Sequence, residues 1–256
     1  MQFGLRFCLS GILLLFCLLP SALGSRNQEE IDPDEGLLGS IKPRIPEPMV
    51  FDLVRPLGAK KREVEINSLA ARPLRRGGAA FDWAPEIEFT FMDGYALEFE
   101  LPIENFTLQS YKLAAQGTFG TLMDRRAIHG WQVLAELYRH GEDRFSVYYL
   151  YLYGHRFNRK WSIFTMNGLR RVNMETGVRN KSVNNGTVFY TWSRRLVLGV
   201  ETNLQVTRSA LNSVLVVPQA HFNLSNHLNL QVGAGAQRFA GDRTVPVVAW
   251  RLIREF

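Results

Sequence analysis

Four glutamates in one short region have the residue type and spacing to do chemistry. Glu86 and Glu88 lie in "PEIEF", and Glu98 and Glu100 follow in "ALEFE". Positions two apart in a strand share a face, so the four carboxylates are expected on one side of a hairpin. Their mutual repulsion then requires a cation, an Arg or Lys partner, or protonation. The pattern predicts either a polar path or binding site, or an interior filled by ion pairs.

Nucleophilic catalysis requires a hydroxyl or thiol beside a base. Ser182 lies shortly before an Asn-Gly pair, Asn185 and Gly186. Lys181 precedes this serine, where an activating His would be needed. We interpret the segment as a loop tip, because Asn and Gly supply turn conformations. The five histidines show no metal-ligand spacing, so the sequence predicts no catalytic residue, no metal site and no cofactor.

The polar residues lie in a region of alternating segments that runs from residue 63 to residue 256. Apolar and polar residues alternate between polar or glycine-containing breaks, which is typical of half-buried antiparallel strands. No long stretch has a helical period, so the region is predicted to be all-β. Twelve strands are predicted, at 63–70, 82–92, 95–103, 110–121, 129–138, 144–154, 161–171, 187–193, 196–206, 213–223, 228–237 and 245–256.

The same alternation fits two architectures. In a soluble β-sandwich the apolar face forms the core, whereas in a transmembrane barrel it meets lipid and the polar face lines a lumen. Strands of about ten residues, tilted by about 40°, cover the apolar band of an outer membrane. Tight turns also alternate with longer connections, the longest predicted at 171–187, and aromatic residues crowd the tight side. These observations favour an antiparallel up-and-down transmembrane β-barrel of about 12 strands, and the sandwich remains the alternative.

A barrel gives the polar residues a common location. Residues that alternate with the apolar row point into the lumen, where they form a polar path or fill the interior as ion pairs. The predicted lumen-lining residues are Glu86, Glu88, Glu98, Glu100, Lys112, Gln132, Glu136, Glu201, His221 and Arg251.

Residues 1–24 have the composition of a secretory signal peptide. One Arg precedes an apolar run from 7 to 19, and Ala22 and Gly24 stand at the −3 and −1 positions of a cut before Ser25. The run is too short to span a bilayer comfortably. Both cysteines, Cys8 and Cys17, lie in this segment, so the exported chain is expected to contain no disulfide.

Residues 25–62 are predicted to form an acidic, proline-rich arm. The first part, "SRNQEEIDPDEG", is acidic, and four prolines follow at positions 43, 46, 48 and 56. Such a composition favours an extended or disordered linker. Residues 49–53 form its one apolar patch, and a short plug or a partner-binding arm are the alternatives.

The last twelve residues, "VPVVAWRLIREF", have the pattern of a strand that ends on an aromatic residue. Val248, Trp250 and Leu252 alternate along one face toward Phe256. Together with the signal peptide, the cysteine-free exported part and the even strand count, this strand resembles bacterial Gram-negative outer-membrane β-barrel proteins. In that class it is similar to the signal that the barrel-assembly machinery reads. Arg254 departs from the class, and a charge near the membrane interface costs only about 0–1 kcal/mol.

The resemblance implies an integral outer-membrane protein with both termini in the periplasm, a barrel over residues 63–256 and a periplasmic arm over 25–62. The implied function is passage or binding of a small polar solute, as in porins, or a structural role in the envelope. Outer-membrane lipid, lipopolysaccharide and the barrel-assembly machinery are the implied partners. Nucleic acid is not expected, because the 30 Lys and Arg residues are scattered rather than massed in a stripe.

Two other functions stay open at this point. An outer-membrane barrel enzyme that acts on lipids, of the phospholipase or lipid A-modifying type, would use Ser182, whose activating His is missing. A secreted soluble β-sandwich binding protein is the second alternative, and it would stay in the aqueous fraction after membrane extraction.

Overall fold

The described part of the chain is built from β-strands. The computed structural model describes residues 42–51, 53–74, 80–207 and 210–256, so the predicted signal peptide and residues 25–41 of the arm lie outside the described residues. Within these ranges, no helix is long and apolar enough to cross a membrane. Twelve long strands and one hairpin of two-residue strands are present: β1 Val64–Pro73, β2 Asp82–Met92, β3 Tyr95–Glu100, β4 Ile103–Glu104, β5 Thr107–Leu108, β6 Ser110–Leu122, β7 Ala127–Tyr138, β8 Asp143–Arg156, β9 Trp161–Met174, β10 Gly177–Thr191, β11 Leu196–Val206, β12 Leu211–Ser225, β13 Leu228–Phe239 and β14 Val245–Glu255.

The first long strand closes the sheet, because both of its edges are paired. Glu65 on β1 lies opposite Glu255 on β14 and also opposite Glu88 on β2. The other long strands follow one another around the ring in the order β14 to β6, then β3 and β2. The result is a closed antiparallel barrel of twelve strands, as predicted. Closure removes the free sheet edges that an open sheet would expose.

Apolar side chains cover the outside of this barrel, and polar side chains are buried inside it. Phe89 and Phe99 on the outer face are 43% and 42% exposed, whereas Glu88 and Glu98, which alternate with them, are each 1% exposed. A soluble sandwich has the opposite arrangement, with its apolar faces packed together in the core. The closed ring and the exposed apolar face therefore contradict the sandwich alternative.

All twelve predicted strands are present, but the long loop predicted at 171–187 is wrong. β9 continues to Met174 and β10 begins at Gly177, so residues 175–176 form a tight turn. Asn184, Asn185 and Gly186, interpreted as a loop tip, pair in the middle of β10. Polar composition is a poor sign of a loop here, because the inner face of a barrel strand is itself polar.

The two ends of the barrel differ in their connections. The turn rim carries residues 93–94, 123–126, 157–160, 192–195 and 226–227. Among the described residues, the loop rim carries 74, 80–81, 101–109, 139–142, 175–176, 207, 210 and 240–244. Aromatic rings pair at the turn rim, with centroid distances of 6.4 Å between Phe91 and Tyr95 and 4.9 Å between Trp161 and Tyr190. This is the rim at which the sequence predicted an aromatic girdle.

The C-terminal strand has the predicted register. Trp250 and Leu252 are 40% and 44% exposed on the outer face, while the alternating residues are buried inside. Arg254 lies on the same outer row, close to the turn rim, and its guanidinium carbon is 5.5 Å from the centre of the Phe256 ring. The charge therefore sits at the end of the strand, where an outward charge is tolerated.

A closed ring of hydrogen-bonded strands should resist detergent until it is heated. We expect the full chain in dodecyl sulfate to migrate as a compact form when unheated and as an unfolded form after boiling. Deletion of residues 245–256 removes β14 and leaves β1 and β13 with free edges, so this variant should migrate at one position in both samples. A full chain with the same mobility before and after boiling would contradict the closed barrel.

Candidate functional site in the barrel lumen

The structure places the ten predicted lumen-lining residues on the inner face of the barrel. Nine of them are buried and Lys112 is half-buried. They are distributed around the ring rather than gathered in one cluster, with five on the neighbouring strands β2, β3 and β6, two on β7, and one each on β11, β12 and β14. His221 packs edge-on against the Phe189 ring, with centroids 5.7 Å apart, so its surroundings are apolar.

Five neighbouring strands carry most of the buried charge, and we call their inner face the polar wall. It comprises β14, β1, β2, β3 and β6, with Glu65, Asn67, Glu86, Glu88, Glu98, Glu100, Lys112 and Arg251. Arg251 on β14 reaches across β1 to β2, with Nη2 at 2.9 Å from a Glu86 oxygen and 3.5 Å from a Glu88 oxygen. Its Nε donates to the side-chain oxygen of Asn67 at 3.1 Å. One guanidinium thus connects three strands of the polar wall.

The glutamates of β2 and β3 lie close together, as their spacing predicted. One carboxylate oxygen from each of Glu86, Glu98 and Glu100 lies within 4.8 Å of the others. The Lys112 ammonium donates to both oxygens of Glu100, at 2.9 and 2.7 Å, and Arg251 binds Glu86. Basic side chains therefore supply the positive charge that repulsion between the carboxylates requires.

Two members of the polar wall, Glu65 and Asn67, are not among the lumen residues predicted from the sequence. The Asn67 amide donates to Glu88 at 2.6 Å and to Glu65 at 3.2 Å. The signal was present in "VEIN", where Val64 and Ile66 alternate with these two polar residues. They join the network because closure of the barrel puts β1 between β14 and β2.

The opposite side of the lumen is apolar. In the ring of twelve strands, β9 is the sixth neighbour of β1 and β10 is the sixth neighbour of β2, so these strands face one another across the barrel. The inner faces of β8, β9 and β10 form what we call the apolar wall: Leu150, Leu152, Phe164, Met166, Val183 and Phe189. Such a wall needs a cover, because apolar surface in water costs about 25 cal/mol per Å².

Residues 42–51 and 53–62 lie inside the lumen, and we call the segment that they belong to the plug. At the turn rim, the Arg156 guanidinium on β8 donates to the Arg44 carbonyl oxygen at 2.8 Å. The chain then reaches the middle of the barrel near Met49, which is 1% exposed. It returns to the turn rim, where the Arg62 N–H donates to the Thr90 carbonyl oxygen at 2.7 Å.

Glu201 on β11 holds the innermost part of the plug. The backbone N–H groups of Met49 and Phe51 each donate to its carboxylate at 2.8 Å, and that of Val50 donates at 3.1 Å. The Asn203 amide donates to the same carboxylate at 2.8 Å. Glu201 is fully buried, and hydrogen bonds to an ionised acceptor are among the stronger ones. One side chain thus binds three consecutive backbone N–H groups that have no strand partner.

Arg55 carries the positive charge of the plug to the polar wall. It is 3% exposed, and its guanidinium binds the Glu65 carboxylate, with Glu88 at 3.9 Å and Glu63 at 3.3 Å. Its carbonyl oxygen accepts a hydrogen bond from the Gln116 amide at 2.6 Å. Arg55 therefore compensates a charge on each of β1 and β2 while its backbone is fixed by β6.

The apolar side chains of the plug cover the apolar wall. The Phe51 and Phe164 rings stack with centroids 6.1 Å apart. Leu53 and Leu57 belong to the same buried cluster, and Met49 packs with Val217 and other side chains on the far side of the lumen. The plug thus packs Phe51, Leu53 and Leu57 against the apolar wall and places the charge of Arg55 on the polar wall, while Val54 meets small apolar residues of β3 and β6.

These contacts close the lumen. A cavity of about 40 Å³ remains at the tip of the plug, lined by Met49, Val50, Phe51, Leu69, Ala84, Glu86, Glu100, Lys112 and Arg251. A cavity of that size holds only water. A solute can cross the barrel through this region only if the plug moves.

The linker predicted for residues 25–62 is wrong for residues 42–51 and 53–62, and the plug alternative describes them. The available signal was the apolar patch at 49–53, in which Met49, Phe51 and Leu53 stand two apart. Their partners lie about 150 positions away, as the contact of Phe51 with Glu201 illustrates, so the sequence alone gave no location for them.

The serine considered for catalysis is not directed into the lumen. Ser182 alternates on β10 with the buried Val183, and its hydroxyl accepts a hydrogen bond from the Asn184 amide at 3.0 Å. Ser182 also pairs across the sheet with Leu169 and Val206 rather than with a basic residue. The geometry gives the enzyme alternative no support.

Loss of the Glu201 carboxylate should release the plug. Each buried donor that loses its partner costs roughly 1–3 kcal/mol, and about 1.4 kcal/mol is a factor of ten. In a chain with Cys8→Ser, Cys17→Ser and the fully buried reporter Val54→Cys, we expect Glu201→Ala to raise the rate of maleimide labelling at least tenfold. Glu136→Gln is the matched control. Glu136 is also a buried lumen carboxylate, but it binds Ser110 on β6 and Arg170 on β9, which belong to the barrel and not to the plug. Equal labelling rates in the two variants would contradict the role of Glu201.

Loss of Arg251 should destabilise the barrel rather than only the plug. Arg251→Met leaves Glu86 and Glu88 without their guanidinium, and removing one partner of a buried ion pair costs about 3–5 kcal/mol. Samples are heated to a series of temperatures before electrophoresis. We expect the compact form of this variant to disappear at a lower temperature than that of the unaltered chain. Arg254→Gln, on the outer face of the same strand, should change that temperature much less. The reverse order would show that the polar wall does not stabilise the barrel.

Comparison with known proteins identifies the fold. No protein-family model matches the sequence, and no curated protein matches it. Among solved structures, the NanC porin has a TM-score of 0.57 at 8% identity, covering 73% of this chain and 97% of the porin. The KdgM porin has a TM-score of 0.58 at 9% identity, covering 75% of this chain and 99% of the porin.

An outer membrane channel from Pseudomonas putida F1 is similar to the same extent. Its TM-score is 0.57 at 11% identity, and the match covers 80% of this chain and all of the channel. Identities this low establish a common fold and not a common solute. The predicted resemblance to Gram-negative outer-membrane β-barrel proteins is therefore confirmed, and the chain has the fold of their porins and channels.

Proposed function

We propose that the protein is an outer-membrane channel that passes a small polar solute and is closed at rest by its own plug. The observation that carries this proposal is a closed barrel with an apolar outer surface and a charged inner surface. Lipid can surround such an exterior, and water and polar solutes can enter such an interior. The porin fold supports the same function.

The outer surface supports the membrane location and its partners. Exposed apolar residues occur on strands all around the ring, for example Ile87, Leu113, Tyr149, Val188 and Trp250. A soluble monomer rarely exposes a continuous apolar area of this kind. Outer-membrane lipid and lipopolysaccharide are the proposed partners of this surface, with the barrel-assembly machinery reading the row formed by Val248, Trp250, Leu252 and Phe256. Both termini of the exported chain are proposed to be periplasmic, on the side of the turn rim.

The plug is the proposed gate. The strands cannot separate in lipid, because their backbone groups would lose partners that lipid cannot replace. The plug, by contrast, is held by side chains such as Glu201, Gln116 and Arg251, whose partners water or a solute can replace. The inner residues Glu86, Glu98, Glu100 and Lys112 would then line the open path.

Removal of the plug should open the channel. In planar bilayers, we expect the full chain to show mostly closed records and a variant lacking residues 42–61 to show steady single-channel currents. Glu201→Ala, in which the plug is loosened but present, should give intermediate open times. Folding of each variant is checked by its compact form on an unheated gel. Folded variants that pass no current with or without the plug would overturn the proposed function.

A further inference from the structure

We propose that the solute that displaces the plug is a small amphipathic cation, meaning an ammonium or guanidinium group joined to an apolar group. This inference rests on the proposed function and names the solute class for the same lumen. Whatever replaces the plug must satisfy the groups that the plug now covers. Those groups are a charged wall, an apolar wall and a buried carboxylate, and each restricts the chemistry of the solute.

The polar wall requires a cation. Of its described residues, five are glutamates, Glu65, Glu86, Glu88, Glu98 and Glu100, and two are basic, Lys112 and Arg251. Arg55 of the plug adds a third positive charge and binds Glu65 directly. When the plug leaves, Glu65 and Glu88 lose the guanidinium of Arg55, so a cation is the group that restores the lost contact and an anion is not.

The apolar wall requires an apolar group. Phe51, Leu53 and Leu57 of the plug are 5%, 2% and 4% exposed and pack against Phe164 and its neighbours. Departure of the plug exposes these wall residues to water, which is unfavourable in proportion to their area. An inorganic ion or a sugar does not cover them, whereas an aromatic or aliphatic group does.

The distance between Phe51, which covers the apolar wall, and Arg55, which binds the polar wall, limits the size of the solute. Phe51 and Arg55 are four residues apart, and four residues of extended chain reach at most about 14 Å. Glu201 lies beside Phe51 and takes up backbone N–H groups, so an amide or ammonium on the solute satisfies it. A molecule the size of a modified amino acid or a dipeptide therefore reaches the polar wall, the apolar wall and the Glu201 carboxylate at once.

A neighbour in fold illustrates the contrast. The KdgM porin is known in complex with oligogalacturonate, a chain of sugar acids, at 10% identity and a TM-score of 0.56 to this chain. A polyanion of that kind would face the carboxylates of the polar wall in this lumen. The two barrels share a fold, and the charge of this wall selects a solute of the opposite sign.

Displacement of the plug by a defined probe tests the proposal. The full chain with Cys8→Ser, Cys17→Ser and Val54→Cys is labelled with maleimide in detergent, alone and with saturating benzoyl-arginine amide. We expect this probe, which carries a guanidinium and an aromatic ring, to raise the labelling rate at least fivefold. Acetyl-arginine amide lacks the ring and benzoylglycine amide lacks the cation, so each should have a much smaller effect at the same concentration.

Variants of the two walls separate the two requirements. Relative to each variant's own rate without probe, Glu65→Gln with Glu88→Gln should abolish the advantage of the arginine probes. Phe164→Ala should abolish the advantage of the benzoyl group and keep that of the guanidinium. Equal effects of all three probes on the parent chain would overturn the proposal. It would also be overturned if no probe raised the labelling rate of the parent chain although Glu201→Ala does raise it.

The bilayer recordings keep this proposal distinct from the proposed function. The plug-deleted barrel could conduct while benzoyl-arginine amide leaves the labelling rate of the full chain unchanged. That result would refute the proposed solute class and would not affect the proposed channel function. A folded plug-deleted barrel that passes no current refutes the channel itself. In a potassium chloride gradient, the deleted barrel should also be selective for potassium over chloride, and selectivity for chloride would contradict the charge argument.

Discussion

The hydrogen-bond ladder that closes through β1 is the constraint on which the rest of the structure depends. Because β1 pairs with both β14 and β2, every long strand has two neighbours, and the sheet has one outside and one inside. Alternation along each strand then fixes the chemistry of both surfaces at once. Phe89 is exposed because Glu88 is buried, and neither position can change its face unless the whole strand shifts by one residue. The register of each strand thus decides which residues meet lipid and which meet the lumen.

A narrow interior that holds buried charges must compensate them, and this chain does so in two ways. Permanent partners are built into the wall, such as Arg251 for Glu86 and Lys112 for Glu100. Other groups receive their partners from the plug, as Glu201 does from the backbone of Met49 to Phe51. The first kind of partner stays when the plug moves and the second kind leaves. Some buried groups of the lumen therefore lose hydrogen-bond or ion-pair partners when the plug moves. These groups determine the chemistry of the solute that can replace the plug.

The sequence predicted the parts of this structure that depend on local alternation and missed those that depend on distant partners. Twelve strands, their faces and the outward row of Trp250, Leu252 and Arg254 follow from period-two patterns, which a residue's near neighbours determine. The loop predicted at 171–187 was wrong because a polar sequence is expected both in a loop and in a strand whose inner face is polar. The plug was missed as the main interpretation because its proline-rich chain has no period. Its burial depends on Glu201, Glu65 and Phe164, which no short window contains together with Phe51.

The same contrast identifies the movable part of the molecule. Wall strands exchange backbone hydrogen bonds with one another, and an opened ladder in lipid would leave those groups without any partner. The tip of the plug has no such ladder, since its backbone N–H groups meet a carboxylate and the carbonyl oxygens of Pro48 and Arg55 meet side chains of Arg251 and Gln116. The cysteines lie at positions 8 and 17, so no disulfide within residues 42–256 ties it down. Water or a polar solute can replace each of these hydrogen bonds of the plug inside the lumen. When the plug moves, its hydrogen bonds are replaced by others. If the strands of the wall separated, their backbone hydrogen bonds would be lost without replacement, so the plug is the part that moves.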